Sequence, residues 1–116
     1  MKIVILDEFE FEDTGSEEFL VIALARSNQY SNLMGFFEAT AQEEWFDPEL
    51  KFDYGNGVEF KEYPYSSTVR RYLKEFIGRA PDSKANVVSL HGEWGEQDLL
   101  IEEPGTFIRY YWQTSA

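Results

Sequence analysis

The side chains best suited to acid–base chemistry are His91 and Glu93, two positions apart in the segment His91-Gly92-Glu93. An imidazole beside a carboxylate can exchange protons near neutral pH, and a carboxylate can also bind a divalent cation. One interpretation of the chain is therefore a small carboxylate-dependent enzyme that uses these two residues, with or without the assistance of a metal ion. We favour the opposing interpretation, an ordinary surface or half-buried histidine at a strand end, because no strained nucleophile turn of the G-x-S-x-G type is present.

Composition excludes most other reactive or cofactor sites. The chain has one histidine and no cysteine, so only carboxylates remain to complete a zinc site, and the spacing of an EF-hand loop is absent. The segment Gly55-Asn56-Gly57 lies in a predicted hairpin, not between a strand and a helix where it could bind phosphate. We therefore predict no catalytic residue, no metal site and no cofactor. The lack of cysteines also excludes disulfides, which fits a reducing compartment.

Two segments interleave carboxylates with aromatic residues: 7–13 (Asp-Glu-Phe-Glu-Phe-Glu-Asp) and 43–47 (Glu-Glu-Trp-Phe-Asp). In one interpretation, the carboxylates meet lysine or arginine residues of a partner and the aromatics fill its pockets. In the other, the aromatics point into the protein core, which we favour for Phe9 and Phe11 and leave open for Trp45. On the first interpretation, the predicted partner contacts are Glu10, Glu12, Asp13, Glu43, Glu44, Trp45, Asp47 and Tyr54.

The charge is unevenly distributed along the chain. The formal net charge is −12; residues 1–50 carry 12 carboxylates against two bases, and residues 51–116 carry 10 against eight. Such a surface steers a positively charged partner and repels phosphate, so we predict a basic protein partner and no direct contact with nucleic acid or anionic membrane. Adaptation to high salt is an alternative source of acidity, but it predicts evenly spread acids.

Two further charged stretches are predicted to have structural roles. The basic residues Arg70, Arg71, Lys74 and Arg79 gather on or just beyond a predicted helix, and we expect them to pair with carboxylates of the same molecule. The stretch 93–103 has five acids and no base. We interpret it as a solvated loop and an edge strand.

The elements that must position these residues are mostly strands. At 116 residues with 43% hydrophobic composition, the chain is long enough for one folded domain, 1–116. Apolar runs and alternation predict strands at 3–11, 86–91, 98–102 and 106–112, a weaker one at 33–42, and a hairpin at 50–63 with a three-residue loop. Segment 19–26 reads as a central strand or as a capped helix, and we favour the strand.

One helix is predicted after Pro64, over about residues 67–78. Its apolar residues recur at i, i+3, i+4, i+7 and i+8, and Gly78 and Pro81 end it. The predicted fold is therefore α+β: a single, predominantly antiparallel sheet of six to seven strands packed by one amphipathic helix.

The chain is expected to be cytoplasmic. The first apolar run, residues 3–6, is too short for a signal peptide, and the uncharged run 19–25 is far below the roughly 20 residues that cross a bilayer. The oligomeric state is left open.

A small, acidic, cysteine-free chain with these two acidic-aromatic segments resembles the bacterial immunity proteins that neutralise basic toxins. The resemblance is one of general character. It implies a stoichiometric inhibitor that covers the active site or substrate groove of its partner. A nuclease partner would be basic because its substrate carries phosphate. The implied mechanism is charge-steered association followed by burial of a few aromatic side chains.

Overall fold

The computed structural model describes residues 1–9, 18–46, 67–79, 85–93 and 95–114. These residues form five strands and two α-helices, and a short 3-10 helix, Ser27–Gln29, follows the second strand. The strands are β1 (Lys2–Phe9), β2 (Glu18–Arg26), β3 (Asn86–Glu93), β4 (Glu96–Glu103) and β5 (Thr106–Thr114), and the helices are α1 (Leu33–Thr40) and α2 (Ser67–Ile77). The strands form one antiparallel sheet in the order β1-β2-β5-β4-β3. The predicted α+β class with a single antiparallel sheet is confirmed.

The sheet is covered on both faces, which explains the continuous apolar run of β2. Leu20 and Ile22 pack in the cluster that contains Val69 and Leu73 of α2. The intervening Val21 packs on the opposite side, in the cluster that contains the aromatic residues of α1. We call these sides the α2 face and the α1 face. Because successive side chains of a strand point to opposite faces, a central strand between two helices needs apolar residues at every position. Segment 19–26 is therefore a strand, as favoured.

The prediction of a strand at 33–42 is wrong, because this segment contains the helix α1. The Asn32 side chain caps the helix by accepting a hydrogen bond from the Gly35 backbone N–H at 3.0 Å. The buried residues Leu33, Phe36, Phe37 and Thr40 recur at helical spacing. The prediction of a single helix is wrong for the same reason, since α1 covers the face that α2 leaves open.

The predicted helix at 67–78 is confirmed as α2. Its last turn is closed by a hydrogen bond of 3.1 Å from the Gly78 N–H to the Lys74 carbonyl oxygen. Gly78 has a φ of +88°, a left-handed conformation that favours glycine at the end of a helix. The basic residues therefore extend along α2 to Arg79, immediately after the glycine.

The C-terminal strands form two hairpins. Pro104-Gly105 connects β4 to β5, with Glu103 opposite Thr106 and Gly105 at a φ of +82°, as the second central position of a type II turn requires. The interpretation of 93–103 as a loop and an edge strand is wrong, because β4 lies between β3 and β5. Asp98 and Glu103 are consequently buried.

Two predictions fall outside the described residues: the hairpin at 50–63 and the end of the first strand beyond Phe9. The predicted six to seven strands are not confirmed, since the described part of the chain contains five. Among the described residues, no helix has the length and apolar character needed to cross a membrane.

Candidate binding site

A cavity of about 350 Å³ lies on the α1 face, where the chain leaving α1 meets one end of three strands. Its lining combines three carboxylates and one histidine with three other aromatic residues: Glu44, Trp45, Phe46, His91, Glu96, Asp98 and Tyr111. Residues 43–46 follow α1, and we call them the acidic turn. His91, Asp98 and Tyr111 form one row across β3, β4 and β5, because Asp98 is the register partner of both other residues. The sheet therefore brings these side chains to one place.

A β-bulge turns His91 toward this cavity. Val88 is opposite Leu100 and Ser89 is opposite Leu99, but the next pair is His91 with Asp98, so one extra residue is inserted in β3. In regular alternation, His91 would share the face of Ser89 and point away from Val88. The extra residue reverses that alternation, as bulges do. His91 consequently lines the cavity on the α1 face.

Among the described residues, the carboxylate of Glu96 lies close to His91. The His91 Nε2 lies 3.9 Å from the Glu96 Oε1, and the two side chains are 36% and 35% exposed. The titratable residues that line the cavity with His91 are Glu44 from the acidic turn, Glu96 and Asp98 from β4, and Tyr111 from β5. Glu93 is the register partner of Glu96 at the end of the hairpin, and its side chain lies outside the described part of the chain.

Beneath the cavity, Arg109 and Asp98 form a buried ion pair. The Arg109 Nε donates to Asp98 Oδ1 at 3.0 Å, and its second terminal nitrogen donates to Asp98 Oδ2 at 2.8 Å. The other terminal nitrogen donates to the Thr40 Oγ1 of α1 at 2.9 Å. Burial raises the pKa of Asp98 above its ordinary value, and the hydrogen bonds and charge of Arg109 offset part of that rise.

The same guanidinium fixes the acidic turn on the sheet. The Arg109 Cζ lies 4.3 Å from the ring centroid of Phe46 and 5.1 Å from that of Phe37, within the range of cation–π contacts. The Glu43 backbone N–H donates to the Thr40 carbonyl oxygen at 3.0 Å, which continues the chain directly from α1. Because Phe46 is buried at one end of the turn and α1 holds the other, the side chains of residues 44 and 45 are kept at the cavity.

Three of the predicted partner contacts lie in the described structure. Glu44 is exposed, and Glu43 and Trp45 are half-buried. The Trp45 ring packs on Phe19 with 6.3 Å between ring centroids, so one side of the indole contacts the core while the residue still lines the cavity. Glu44 and Trp45 are thus brought together at one site. The remaining predicted contacts lie outside the described residues: Glu10, Glu12, Asp13, Asp47 and Tyr54.

Sequence reasoning missed four residues of this region, namely Glu96, Asp98, Arg109 and Tyr111. A signal in the sequence pointed to two of them, Arg109 and Asp98. A lone arginine interrupts the apolar strand 107–111, and a lone aspartate precedes the apolar run 99–101. Charged residues at positions that should face a core are expected to pair with each other. The alternation of the strands alone does not reveal which acid meets which base.

The basic helix lies on the opposite side of the sheet from the acidic turn. Val69, Tyr72 and Leu73 anchor α2 on the α2 face, whereas Phe46 belongs to the core of the α1 face. Pairing of the bases within the molecule is confirmed for Arg79, which forms an ion pair with the buried Glu103 carboxylate. The bases of α2 are therefore separated from Glu44 and Trp45 by the sheet.

A second polar cluster is buried on the α2 face. The carboxylate of Glu18 accepts a hydrogen bond from the Tyr72 hydroxyl at 2.6 Å and another from the Trp112 Nε1 at 2.7 Å. The hydroxyl of Tyr110 has no hydrogen-bond partner among the described residues. Burial, together with the neighbouring Tyr72 and Glu18, raises the pKa of Tyr110 well above its ordinary value of 10.0. This cluster has no role at the cavity, since it faces the other way.

In the described part of the chain, no group of three or more His, Cys, Asp or Glu side chains is placed to hold a metal ion. No family model, curated protein or solved structure matches this chain. The function must therefore be inferred from the chemistry of the site itself.

Proposed function

We propose that this protein is a cytoplasmic, acidic protein-binding inhibitor of the immunity-protein type. Its partner is a basic protein, such as a nuclease toxin, whose active site or substrate groove it covers. The observation that carries the proposal is the acidic turn: Glu44 and Trp45 stand at a cavity on the face opposite the basic helix. A carboxylate beside a partly exposed aromatic side chain is the combination expected at the centre of an interface with a basic surface.

The charge distribution supports the same proposal. A formal net charge of −12 accelerates encounter with a basic partner. Because the sheet separates the bases of α2 from the acidic turn, a partner that approaches the α1 face does not meet them first. The predicted contacts Glu10, Glu12, Asp13, Asp47 and Tyr54 remain part of the proposed interface, with Glu43 at its border.

The experiment uses the protein encoded beside this one as the candidate partner. We expect equimolar amounts of this chain to abolish the partner's nuclease activity. We also expect the association rate constant to fall at least about tenfold as salt rises from about 0.01 M to about 1 M, because the Debye length shrinks from about 30 Å to about 3 Å. An association rate that barely changes with salt, or the absence of stoichiometric inhibition, would contradict the proposal.

A second candidate function is a small carboxylate-dependent enzyme, and the cavity itself favours it. His91 lies near Glu96 in the same cavity as Asp98, whose pKa is raised by burial, and such groups are typical of acid–base sites. Titration with Mn²⁺ tests its metal-assisted form. Selective broadening of the His91 ring resonances at an equimolar amount of Mn²⁺, abolished by Glu96→Gln, would support the enzyme. Uniform weak broadening would count against this form.

A further inference from the structure

We propose that the cavity on the α1 face receives one arginine side chain of the partner. The carboxylates of Glu44 and Glu96 bind the guanidinium, and the rings of Trp45 and Tyr111 flank it. This inference rests on the proposed function, and it names the chemical group that the site recognises.

The charges that line the cavity favour a cation. Asp98 is already compensated, because both of its carboxylate oxygens accept hydrogen bonds from Arg109. This leaves Glu44, which is exposed, and Glu96, whose side chain is 35% exposed, as the carboxylates that can meet a guest. A cation bound there gains two carboxylate partners in a partly desolvated cavity, where charge-assisted hydrogen bonds are stronger than in water.

The aromatic residues favour arginine over lysine. Phe19 packs against both Trp45 and Tyr111, with ring centroids 6.3 Å and 6.1 Å apart, and so holds these two side chains in the cavity wall. A planar guanidinium can stack on such rings while its N–H groups reach carboxylates, whereas an ammonium acts as a point charge. The volume of about 350 Å³ is at the small end of ligand pockets, which suits one side chain.

Beneath the cavity, the protein already binds one of its own arginine side chains with an aromatic ring and a carboxylate. Arg109 places its guanidinium 4.3 Å from the Phe46 ring centroid and binds both oxygens of Asp98. Phe46 and Asp98 also line the cavity. An aromatic ring and a carboxylate thus already hold Arg109 of this chain. Trp45, Glu44 and Glu96 offer the same two kinds of group in the cavity, where an arginine of the partner can enter.

The test is a titration of the protein with Nα-acetyl-arginine amide, followed by NMR of the tryptophan indole N–H groups. We expect a saturable shift of the Trp45 signal, assigned by Trp45→Phe, with a dissociation constant in the millimolar range. The Trp112 signal is the internal control, because its N–H is bonded to Glu18 on the α2 face. Nα-acetyl-citrulline amide has nearly the same shape without the charge and should bind at least tenfold more weakly. The lysine analogue should bind more weakly than arginine.

Matched variants test which carboxylates bind the arginine analogue. We expect Glu44→Gln with Glu96→Gln to weaken arginine binding at least fivefold, and Glu75→Gln, an exposed carboxylate on α2, to leave it unchanged. The inference would be overturned if the arginine and citrulline analogues bound equally well, or if only the Trp112 signal shifted. It would also be overturned if Glu75→Gln weakened arginine binding as much as the double variant does. Inhibition of the basic partner that survives Glu44→Gln with Glu96→Gln would overturn it too, while the proposed function stands. Specific arginine binding without inhibition of any basic partner would instead contradict the proposed function.

Discussion

Replacing Arg109 by methionine should be among the most damaging single changes in the described structure. The substitution removes two hydrogen bonds to Asp98, at 3.0 and 2.8 Å, and one to Thr40 at 2.9 Å. It also removes the cation–π contact that holds Phe46, and it leaves the Asp98 carboxylate buried without a counter-charge. Breaking a buried pair in this way costs about 3–5 kcal/mol. A domain of this size is stable by about 5–15 kcal/mol, so the loss is a large fraction of the total.

The loss should shrink in acid, which separates it from a simple packing defect. Burial already raises the pKa of Asp98 above 3.8, and removing Arg109 removes the charge that lowers it. In Arg109→Met the folded protein therefore binds a proton at Asp98 at a higher pH than the unfolded chain does. Stability consequently rises as pH falls through the window between that raised pKa and 3.8, by at most about 1.4 kcal/mol per pH unit. Acidification from pH 7 to pH 5 can thus restore up to roughly 2.7 kcal/mol.

The assay is urea unfolding followed by tryptophan fluorescence and far-ultraviolet circular dichroism, with stability compared at equal m-values. The double variant Arg109→Met with Asp98→Leu removes both charges, and we expect it to be at least as stable as Arg109→Met, and close to the wild type, at pH 7. Glu75→Gln is the control, with an expected change within about 0.5 kcal/mol. A loss below about 1 kcal/mol in Arg109→Met, or a loss that is the same at pH 5 and pH 7, would refute the reasoning.

Three further predictions concern other buried or cavity-lining groups. Tyr110→Phe removes a buried hydroxyl that has no partner among the described residues, so stability at pH 7 should change by less than about 1 kcal/mol. Because the pKa of Tyr110 is raised in the folded state, the stability of the wild type should fall as pH rises above 10. The stability of Tyr110→Phe should fall less steeply with pH, and equal slopes for the two proteins would contradict this prediction. Glu18→Ala removes the carboxylate that accepts hydrogen bonds from the Trp112 N–H and the Tyr72 hydroxyl, and it should cost about 2–4 kcal/mol in urea unfolding. The indole proton of Trp112 should shift upfield, and an unchanged indole signal would argue against the hydrogen bond. His91→Lys places a fixed positive charge near Glu96, so the affinity for Nα-acetyl-arginine amide should fall about fivefold, or about 1 kcal/mol; an unchanged affinity would argue against a role of Glu96 in binding.

Much of the fold was predictable because its patterns are local. The continuous apolar run of β2, the apolar stripe of α2 and the Pro104-Gly105 turn each carry a signal within a few residues. The helix α1 was missed although Asn32 caps it and its buried residues follow helical spacing. Its aromatic residues read equally well as a strand, and only the uncovered second face of the sheet decides between the two.

The candidate site was half predictable for a related reason. Glu44 and Trp45 are neighbours in sequence, so their combination was visible as an acidic-aromatic segment. Glu96 and Tyr111 join them only through the register of β4 and β5, which depends on pairing over longer distances. His91 faces the cavity only because of a bulge, and no pattern in the sequence marks where β3 takes its extra residue.

The central claim, that the acidic turn and its cavity bind a basic partner, is tested most directly by hydrogen–deuterium exchange of the complex with that partner. We predict slower exchange in residues 41–46 and 91–98 and unchanged exchange in α2, residues 67–77. Protection confined to α2, with unchanged exchange at the acidic turn, would contradict the account, because the partner would then bind the basic side of the sheet.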